Sequence, residues 1–588
     1  MLAVTLACVP TMGCAQVFVN GDSGGILETL HVGGYLGQGV SFTDFNGDGH
    51  DDLTFTQFEG NIMAYLGDGS GAFQPHDLGI GNTNGEPKSV LWVDLDNDGD
   101  QDMLLSQRLS LNKVYVRMPN GILKELPNAG GMAGSVLDRT YGMSVADYDA
   151  DGLLDVHWCH YHTNQNSTET NRLYRGTGGV DLDLAFEDVT DAAGIGNGVK
   201  ESFQSTWIDI DRDGWLDLHV INDRTFWPDA LYRNLGDGTF VDMADEWGID
   251  IGQYSMSSSC ADFDKDLDWD MVVTNGATEG NSFLLCQGSP FVEQNSENSG
   301  SVMELEYVQV ADSAGILLND LAWGALWFDA NNDSWLDLYI GTGTSLYTDY
   351  PSILDLFPST ENGFFINNEG SLPIEPVADN ALANGDMVFS SAVADHNGDG
   401  ALDFVSHRVG THAGLFNGVP NGNHWLQISL EPHTGNADAI GARVTAWLNG
   451  RPDVRTVTCG SEYLNQNSRR LHFGMGSSNV MDSVVVDWTS GQTTVHEYLP
   501  SDMHLTLFEQ NPTEEASGCT YQVACNYNPM AAVDDGSCDW SCLCGMGTVY
   551  HASLGECVST CTADQNGDGF VGTSDLLVFL NLFGLACE

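Results

Sequence analysis

The sequence predicts an all-β chain built from a sevenfold repeat, on three observations. One acidic motif recurs seven times, apolar runs of strand length flank its copies, and no long amphipathic helix interrupts the array. The motif reads D-x-[DN]-x-D-[GLS]-x-x-D followed by an apolar residue. Its copies are DFNGDGHDDL from Asp44, DLDNDGDQDM from Asp94, DYDADGLLDV from Asp147, DIDRDGWLDL from Asp209, DFDKDLDWDM from Asp262, DANNDSWLDL from Asp329 and DHNGDGALDF from Asp395.

Runs such as SVLWVD and STWIDI precede the motif, and DMLLSQ and LDLHVIND follow it. A second signature lies downstream of several copies: YLGDGSGAF (65–73), FEDVTDAAGI (186–195), LYRNLGDGTFVDMADEWGI (231–249) and the worn form YVQVADSAGI (307–316). Asn-Leu-Gly-Asp-Gly is hairpin chemistry, because Gly and Asp accept the positive φ that such turns demand. Each repeat is then a small antiparallel sheet of about four strands, too small to bury both faces alone. Seven sheets set radially hide those faces against their neighbours and leave no long open edge, so residues 16–420 are predicted to form a seven-bladed β-propeller. A stacked solenoid is the alternative, and about 60 residues per unit suits a blade better.

The motif itself carries the chemistry. Calcium takes about six to eight hard oxygen ligands. Positions 1, 3 and 5 of a tight loop turn oxygens inward, Gly at 6 permits the sharp turn, a backbone carbonyl near 7 adds an oxygen, and Asp at 9 closes the shell from the next strand. The candidate ligands are Asp44, Asn46, Asp48 and Asp52; Asp94, Asp96, Asp98 and Asp102; Asp147, Asp149, Asp151 and Asp155; Asp209, Asp211, Asp213 and Asp217; Asp262, Asp264, Asp266 and Asp270; Asp329, Asn331, Asp333 and Asp337; Asp395, Asn397, Asp399 and Asp403. Carboxylates this close repel one another without a cation. Solvated, metal-free hairpins are the plainer reading of any one copy, but a poor reading of seven in register. Leu267 and Ser334 replace the turn glycine in the fifth and sixth copies, which puts the occupancy of those loops in question. Zinc would call for His or Cys, and no nucleophile recurs beside the loops, so the expected role of calcium is structural.

Composition narrows the function. The formal net charge is −64, from 83 Asp and Glu against 19 Lys and Arg. That excludes nucleic acid as a natural partner and disfavours an anionic membrane surface. Residues 1–15 read as a signal peptide ending in Gly13-Cys14-Ala15; a lipidated Cys14 is the weaker alternative. No run reaches the length of a transmembrane helix. Of 14 cysteines, Cys519, Cys525, Cys538, Cys542, Cys544, Cys557, Cys561 and Cys587 crowd the tail, a disulfide pattern that agrees with export.

The seven copies resemble the FG-GAP, or VCBS, repeats of the integrin α-subunit propeller and of many exported bacterial proteins. Residues 421–508 lack the aspartate loop and resemble an ASPIC/UnbV domain, through Ala439-Ile440-Gly441-Ala442-Arg443-Val444, the Gly460 to Gln466 segment, His472-Phe473-Gly474 and Val486-Asp487-Trp488. This combination is similar to the cartilage acidic protein family, and the resemblance implies an extracellular binding role. Arg443, Arg455, Arg469 and Arg470 concentrate in this segment, where internal ion pairing is the favoured reading over an anion site. A polar linker spans 509–517. Residues 518–561 resemble a cysteine-rich module of exported proteins of marine bacteria. In 562–588, Asp564, Asn566, Asp568 and Asp575 take positions 1, 3, 5 and 12 of an EF-hand-type loop, with Gly569 at 6. That resembles half of a dockerin, and a terminal cap or surface-attachment segment is the expectation.

His157, Cys159, His160 and His162 form the one transition-metal-like cluster, with a His-rich strand end as the duller and favoured reading. No H-E-x-x-H or P-loop motif occurs. Three readings follow: a secreted or cell-surface module binding an extracellular protein or glycan, a calcium-dependent polysaccharide-active enzyme, and a structural matrix component. The first, which is not an enzyme, is the expectation.

Overall fold

Inner strands buried along their whole length, with turn chemistry at both ends, make every repeat an antiparallel sheet. The computed structural model describes residues 17–21, 36–162, 169–276, 280–287, 305–318, 320–343, 361–377 and 380–510, with four short backbone strands beyond them. The 1–15 segment, the cysteine side chains of the tail and the Asp564–Asp575 loop lie outside the described residues.

The fourth repeat is representative. Strands Ser202–Ile208, Asp217–Asn222, Ala230–Asn234 and Phe240–Asp242 pair antiparallel in that order. Among the described residues there are seven sheets of this form. Their first strands are Val40–Thr43, Glu86–Val93, Thr140–Ala146, Ser202–Ile208, Ser255–Ala261, Ala322–Phe328 and Val388–Ala394. Each packs on the next, and Val388–Ala394 packs on Val40–Thr43, so the first strands run in a closed ring. The fold is an all-β propeller.

The seventh sheet is completed from the other end of the array. Phe18–Asn20 pairs with Gly414–Gly418 as its outer strand, with Phe18 opposite Gly418. Phe18 is fully buried against Phe328, Phe364 and Phe404, which fixes the seam by packing as well as by backbone pairing. The second signature proves to be a hairpin followed by a single helical turn: Thr190–Ala193, Ala244–Trp247 and Ala311–Ala314 each end on a left-handed glycine, at φ 80, 77 and 77 for Gly194, Gly248 and Gly315.

Residues 424–508 form two further sheets, one of His424–Glu431, Leu471–Gly476 and Met503–Phe508, the other of Arg443–Leu448, Arg451–Thr456, Val480–Asp487 and Thr493–Pro500. They do not stand apart. Leu426, Ile428, Val444 and Phe473 share one apolar core with Leu91, Val93, Met143 and Val145 of the second and third blades.

More consequential is the segment 459–466, which leaves this unit and enters the axis of the ring. Cys459 bridges Val145, and Asn465–Gln466 pairs parallel to Val40–Thr43 as a fifth strand of the first sheet. The Gln466 amide accepts from Ser41 Oγ and Trp92 N at 2.8 Å and donates to Trp92 O at 2.7 Å. Asn465 donates to Ser391 O, and Thr206 Oγ1 donates to Ser461 O. Tyr463 is wholly buried, with its ring 5.7 Å from Phe203 and 5.4 Å from Trp323, and its hydroxyl donates to Leu36 O at 2.7 Å. The second domain therefore plugs the propeller.

Candidate metal centres

All seven acidic loops join the first and second strands of a blade, so all seven lie on one face of the ring. Position 1 follows the first strand and position 9 opens the second. The Oδ2 of position 1 accepts the N–H of position 6 in every loop: Asp44 from Gly49 at 2.7 Å, Asp94 from Gly99 at 2.8 Å, Asp147 from Gly152 at 3.0 Å, Asp209 from Gly214 at 3.1 Å, Asp262 from Leu267 at 3.1 Å, Asp329 from Ser334 at 2.7 Å and Asp395 from Gly400 at 2.9 Å. Position 5 caps the turn from the other side: Asp48, Asp98, Asp151, Asp213, Asp266, Asp333 and Asp399 each accept the N–H of position 7. These are Asx turns. Leu267 and Ser334 hold φ 78, the left-handed value that glycine holds elsewhere, so the fifth and sixth loops keep the shared shape without it.

Position 9 has a role that the spacing did not reveal. Oδ2 of Asp217 accepts the N–H of Ile210, and Oδ1 accepts that of Asn234 on the third strand, at 3.0 and 2.7 Å. The same two bonds recur at Asp52, Asp102, Asp155, Asp270, Asp337 and Asp403, every one of them buried. This carboxylate staples the hairpin to the blade and still keeps a lone pair on each oxygen. Asp217→Ala strands two buried N–H groups and is expected to cost about 2–5 kcal/mol in denaturant unfolding with calcium present, with Asp217→Asn costing less. Equal losses for the two variants would show that the staple contributes little.

The donor set fits a hard cation. Carboxylate oxygens lie within 4.8 Å of one another in Asp94, Asp96 and Asp102, in Asp147, Asp149 and Asp155, in Asp209, Asp211 and Asp217, and in Asp262, Asp264 and Asp266. Among these, Oδ1 of Asp96, Asp149, Asp209, Asp262 and Asp264 is buried with no hydrogen-bond partner. An orphaned buried carboxylate oxygen is costly unless a cation satisfies it. In the first, sixth and seventh loops position 3 is an asparagine, and Oδ1 of Asn46, Asn331 and Asn397 accepts the position-5 N–H. Burial pushes the metal-free carboxyls up, to about 7 for Asp94, Asp209 and Asp262, about 6 for Asp147 and Asp395, and about 8 and 9 for Asp52 and Asp102. Asp155, Asp217, Asp270, Asp337 and Asp403 lie well above the usual carboxylate range for the same reason. In the fourth loop Arg233 pairs with Asp211 and Asp213, and in the third Arg175 reaches Asp149 at 3.8 Å.

The second domain rests on this loop face. Asp438 Oδ2 accepts Asp94 N–H at 2.7 Å, and Arg469 reaches Asp438 at 3.0 Å and Gln101 at 2.6 Å. Gln427 donates to Asp395 Oδ2 at 2.8 Å, Arg470 reaches Asp51 at 3.5 Å, and His472 Nε2 lies 2.6 Å from Asn332 Oδ1.

Comparison with known proteins adds to this geometry. Residues 44–105 and 209–273 match the model of the FG-GAP-like repeat, and residues 432–514 match that of ASPIC and UnbV. The chain carries FG-GAP-like repeats and an ASPIC and UnbV domain. It is similar to cartilage acidic protein 1 of Xenopus tropicalis, 25% identical over 49% of this chain and 42% of the relative. The proteins of that name from Homo sapiens and Mus musculus are each 26% identical, over 49% and 66% of this chain and 41% and 55% of theirs. The chain thus spans about half the length of the curated relatives it matches. Among solved structures it is similar to BBS1N in complex with ARL6DN (TM-score 0.38, 8% identity, 69% of this chain and 98% of that one) and to YCF48 bound to D1 peptide (0.36, 9%, 64% and 90%).

His157, Cys159 and His160 lie on the second strand of the third blade, with His162 just beyond it. His157 Nδ1 lies 2.8 Å from Ser205 Oγ and Cys159 Sγ 3.8 Å from that nitrogen, all buried between the third and fourth blades. Burial holds His157 down to about 3 and raises the Cys159 thiol to about 12. Among the described residues every group suited to a metal is made of aspartates alone. Also among the described residues, no helix is long and apolar enough to cross a membrane.

Proposed function

We propose that this FG-GAP protein is an extracellular calcium-loaded scaffold that binds a protein or glycan and performs no chemistry of its own. Calcium fills the seven loops and is structural: the loops supply buried carboxylates and carbonyls, the ligand set of a hard cation. The observation that carries the reading is the seating of the ASPIC and UnbV domain. It covers the loop face through Asp438, Arg469, Gln427 and His472, and its 459–466 segment fills the axis. A partner is left with the opposite face, where the second-to-third-strand turns and the inter-blade connections lie.

That face carries exposed apolar side chains: Phe58, Leu109, Leu111, Val136, Leu137 and Phe226, with Leu137 at 77% and Phe226 at 64% exposure. Apolar residues at loop tips on a rigid scaffold are a binding signature. The likeness to cartilage acidic protein 1 supports an extracellular setting for this chain. Capture from matrix-protein and glycan arrays in calcium is the test. Leu137→Asp with Phe226→Ser is expected to weaken capture at least about tenfold while the melting curve holds. Undiminished capture would move the binding surface elsewhere, and release of reducing ends from a polysaccharide panel would favour the enzyme reading.

A further inference from the structure

Between the third and fourth acidic loops and the second domain lies a cavity of about 410 Å3 that no role above uses. In a chain with 19 basic residues against 83 acidic ones, two arginines line it together. Arg212 stands at position 4 of the fourth loop, at φ 58, and Arg443 opens the strand Arg443–Leu448. Nη2 of Arg212 and Nε of Arg443 are buried without a hydrogen-bond partner. A desolvated guanidinium N–H without an acceptor is a costly arrangement that a bound acceptor relieves.

Asp209 and Asp262, which face these arginines, each engage one oxygen within their own loop and keep Oδ1 for a loop cation. Asp209, Asp487 and Asp262 act on Arg443, and Asp262, Asp268 and Asp266 act on Arg212, whose charge burial and Arg443 oppose. Asp209 and Asp262 turn their Oδ2 into their own loops, to Gly214 and Leu267, and Asp487 accepts the Thr493 hydroxyl at 2.7 Å. A divalent cation in each loop offsets two of its four carboxylate charges, and Arg233 pairs with Asp211 and Asp213, so the unpartnered guanidinium N–H groups of Arg212 and Arg443 remain as the donors of the cavity. Its lining mixes Asp147, Asp209, Asp213 and Asp487 with three tryptophans: Trp269 and Trp488 spend their N–H groups on Asp209 O and Thr494 Oγ1, and Trp215 adds a third ring.

We propose that this pocket binds an oxyanion, carboxylate or sulfate, carried on a compact body of sugar-ring size, with Arg212 and Arg443 as its donors and Trp215 as its stacking wall. A volume near 410 Å3 accommodates one or two sugar rings. The inference rests on the calcium reading, since filled loops lower the negative charge around the two arginines.

The test uses the full chain, saturated with calcium at neutral pH, titrated with glucuronate and with glucose 6-sulfate while tryptophan fluorescence is followed. Neutral glucose is the control, and calcium binding is measured by calorimetry on the same sample. One or both anions are expected to give a saturable response, glucose none. Arg443→Gln and Arg212→Asn, the latter keeping a side chain that tolerates the left-handed backbone, are each expected to weaken binding at least about tenfold with calcium uptake unchanged. Arg451→Gln, outside the cavity, should leave the anion affinity as it was. No response to either anion, an equal response to glucose, or full affinity in both variants, with calcium binding intact, overturns the pocket. Loss of calcium binding itself would strike the metal reading instead.

Discussion

Stripping calcium from the protein is expected to lower its melting temperature by more than about 10 °C, because an ion that binds only the folded chain stabilises it by mass action. A site held at a hundred times its dissociation constant contributes about 2.7 kcal/mol, and several loops act together. The effect should also depend on pH with a definite sign. Burial raises the metal-free carboxyls, to about 6 at Asp147 and Asp395, about 7 at Asp94, Asp209 and Asp262, and about 9 at Asp102. A carboxyl whose folded pKa is raised binds more protons when folded, so the stability linked to it is full below its unfolded value and is lost as pH climbs through the folded one. The stripped protein should therefore weaken between about pH 5 and pH 9, where the loops ionise and repel. Calcium replaces those protons. The gap between melting curves with and without chelator should widen from pH 5 to pH 8, as scanning calorimetry would read directly. A gap that is absent, or that narrows with pH, would leave the loops as hairpins without metal.

The array was legible because its chemistry is local. D-x-D-x-D marks the first hairpin of each blade, and NLGDG or DAAGI marks the outer edge, so strand number and order follow from turn residues a few positions apart. The gathering of positions 1, 3 and 9 in the second, third and fourth loops, and of 1, 3 and 5 in the fifth, follows from the same local spacing. What escaped is what long-range pairing decides. Nothing in the sequence near Gln466 announces Trp92 and Ser41 as its partners. Phe18–Asn20 is too short to show periodicity, yet it closes the seventh sheet. The backbone bonds of position 9 need the third strand, which the motif does not contain. The clustered arginines divide in two: Arg455 pairs with Asp453 and Arg469 with Asp438 inside the second domain and Arg470 with Asp51 of the propeller, while Arg443 faces Arg212.

Removing the plug is the second change expected to be severe. Tyr463 is buried at the ring axis among Tyr141, Phe203, Trp323 and Phe389, which meet over the channel rather than across a blade. Truncation at residue 420 would expose that aromatic cluster, free the first-sheet edge at Val40, whose N–H is taken by Leu464 O, and strip Trp92 of both its Gln466 bonds. The truncated array is expected to unfold in denaturant at a far lower midpoint than the full chain and to bind a hydrophobic dye, even in saturating calcium. Point variants separate the plug from the rest of the domain. Tyr463→Ala should cost about 3–5 kcal/mol through the cavity it leaves. Gly460→Ala should be worse than its one methyl suggests, because Gly460 holds φ 78 and a Cβ there would meet Met143 O at 2.3 Å, a backbone atom that cannot step aside. Calcium binding to the isolated loops would survive these changes if blades and plug were independent. Because Asp438, Gln427 and His472 reach the second, seventh and sixth loops from the same domain, calcium affinity should instead fall with plug stability across the series. A truncated ring with the melting point and calcium affinity of the full chain would show that seven blades close unaided and that the second domain is a passenger.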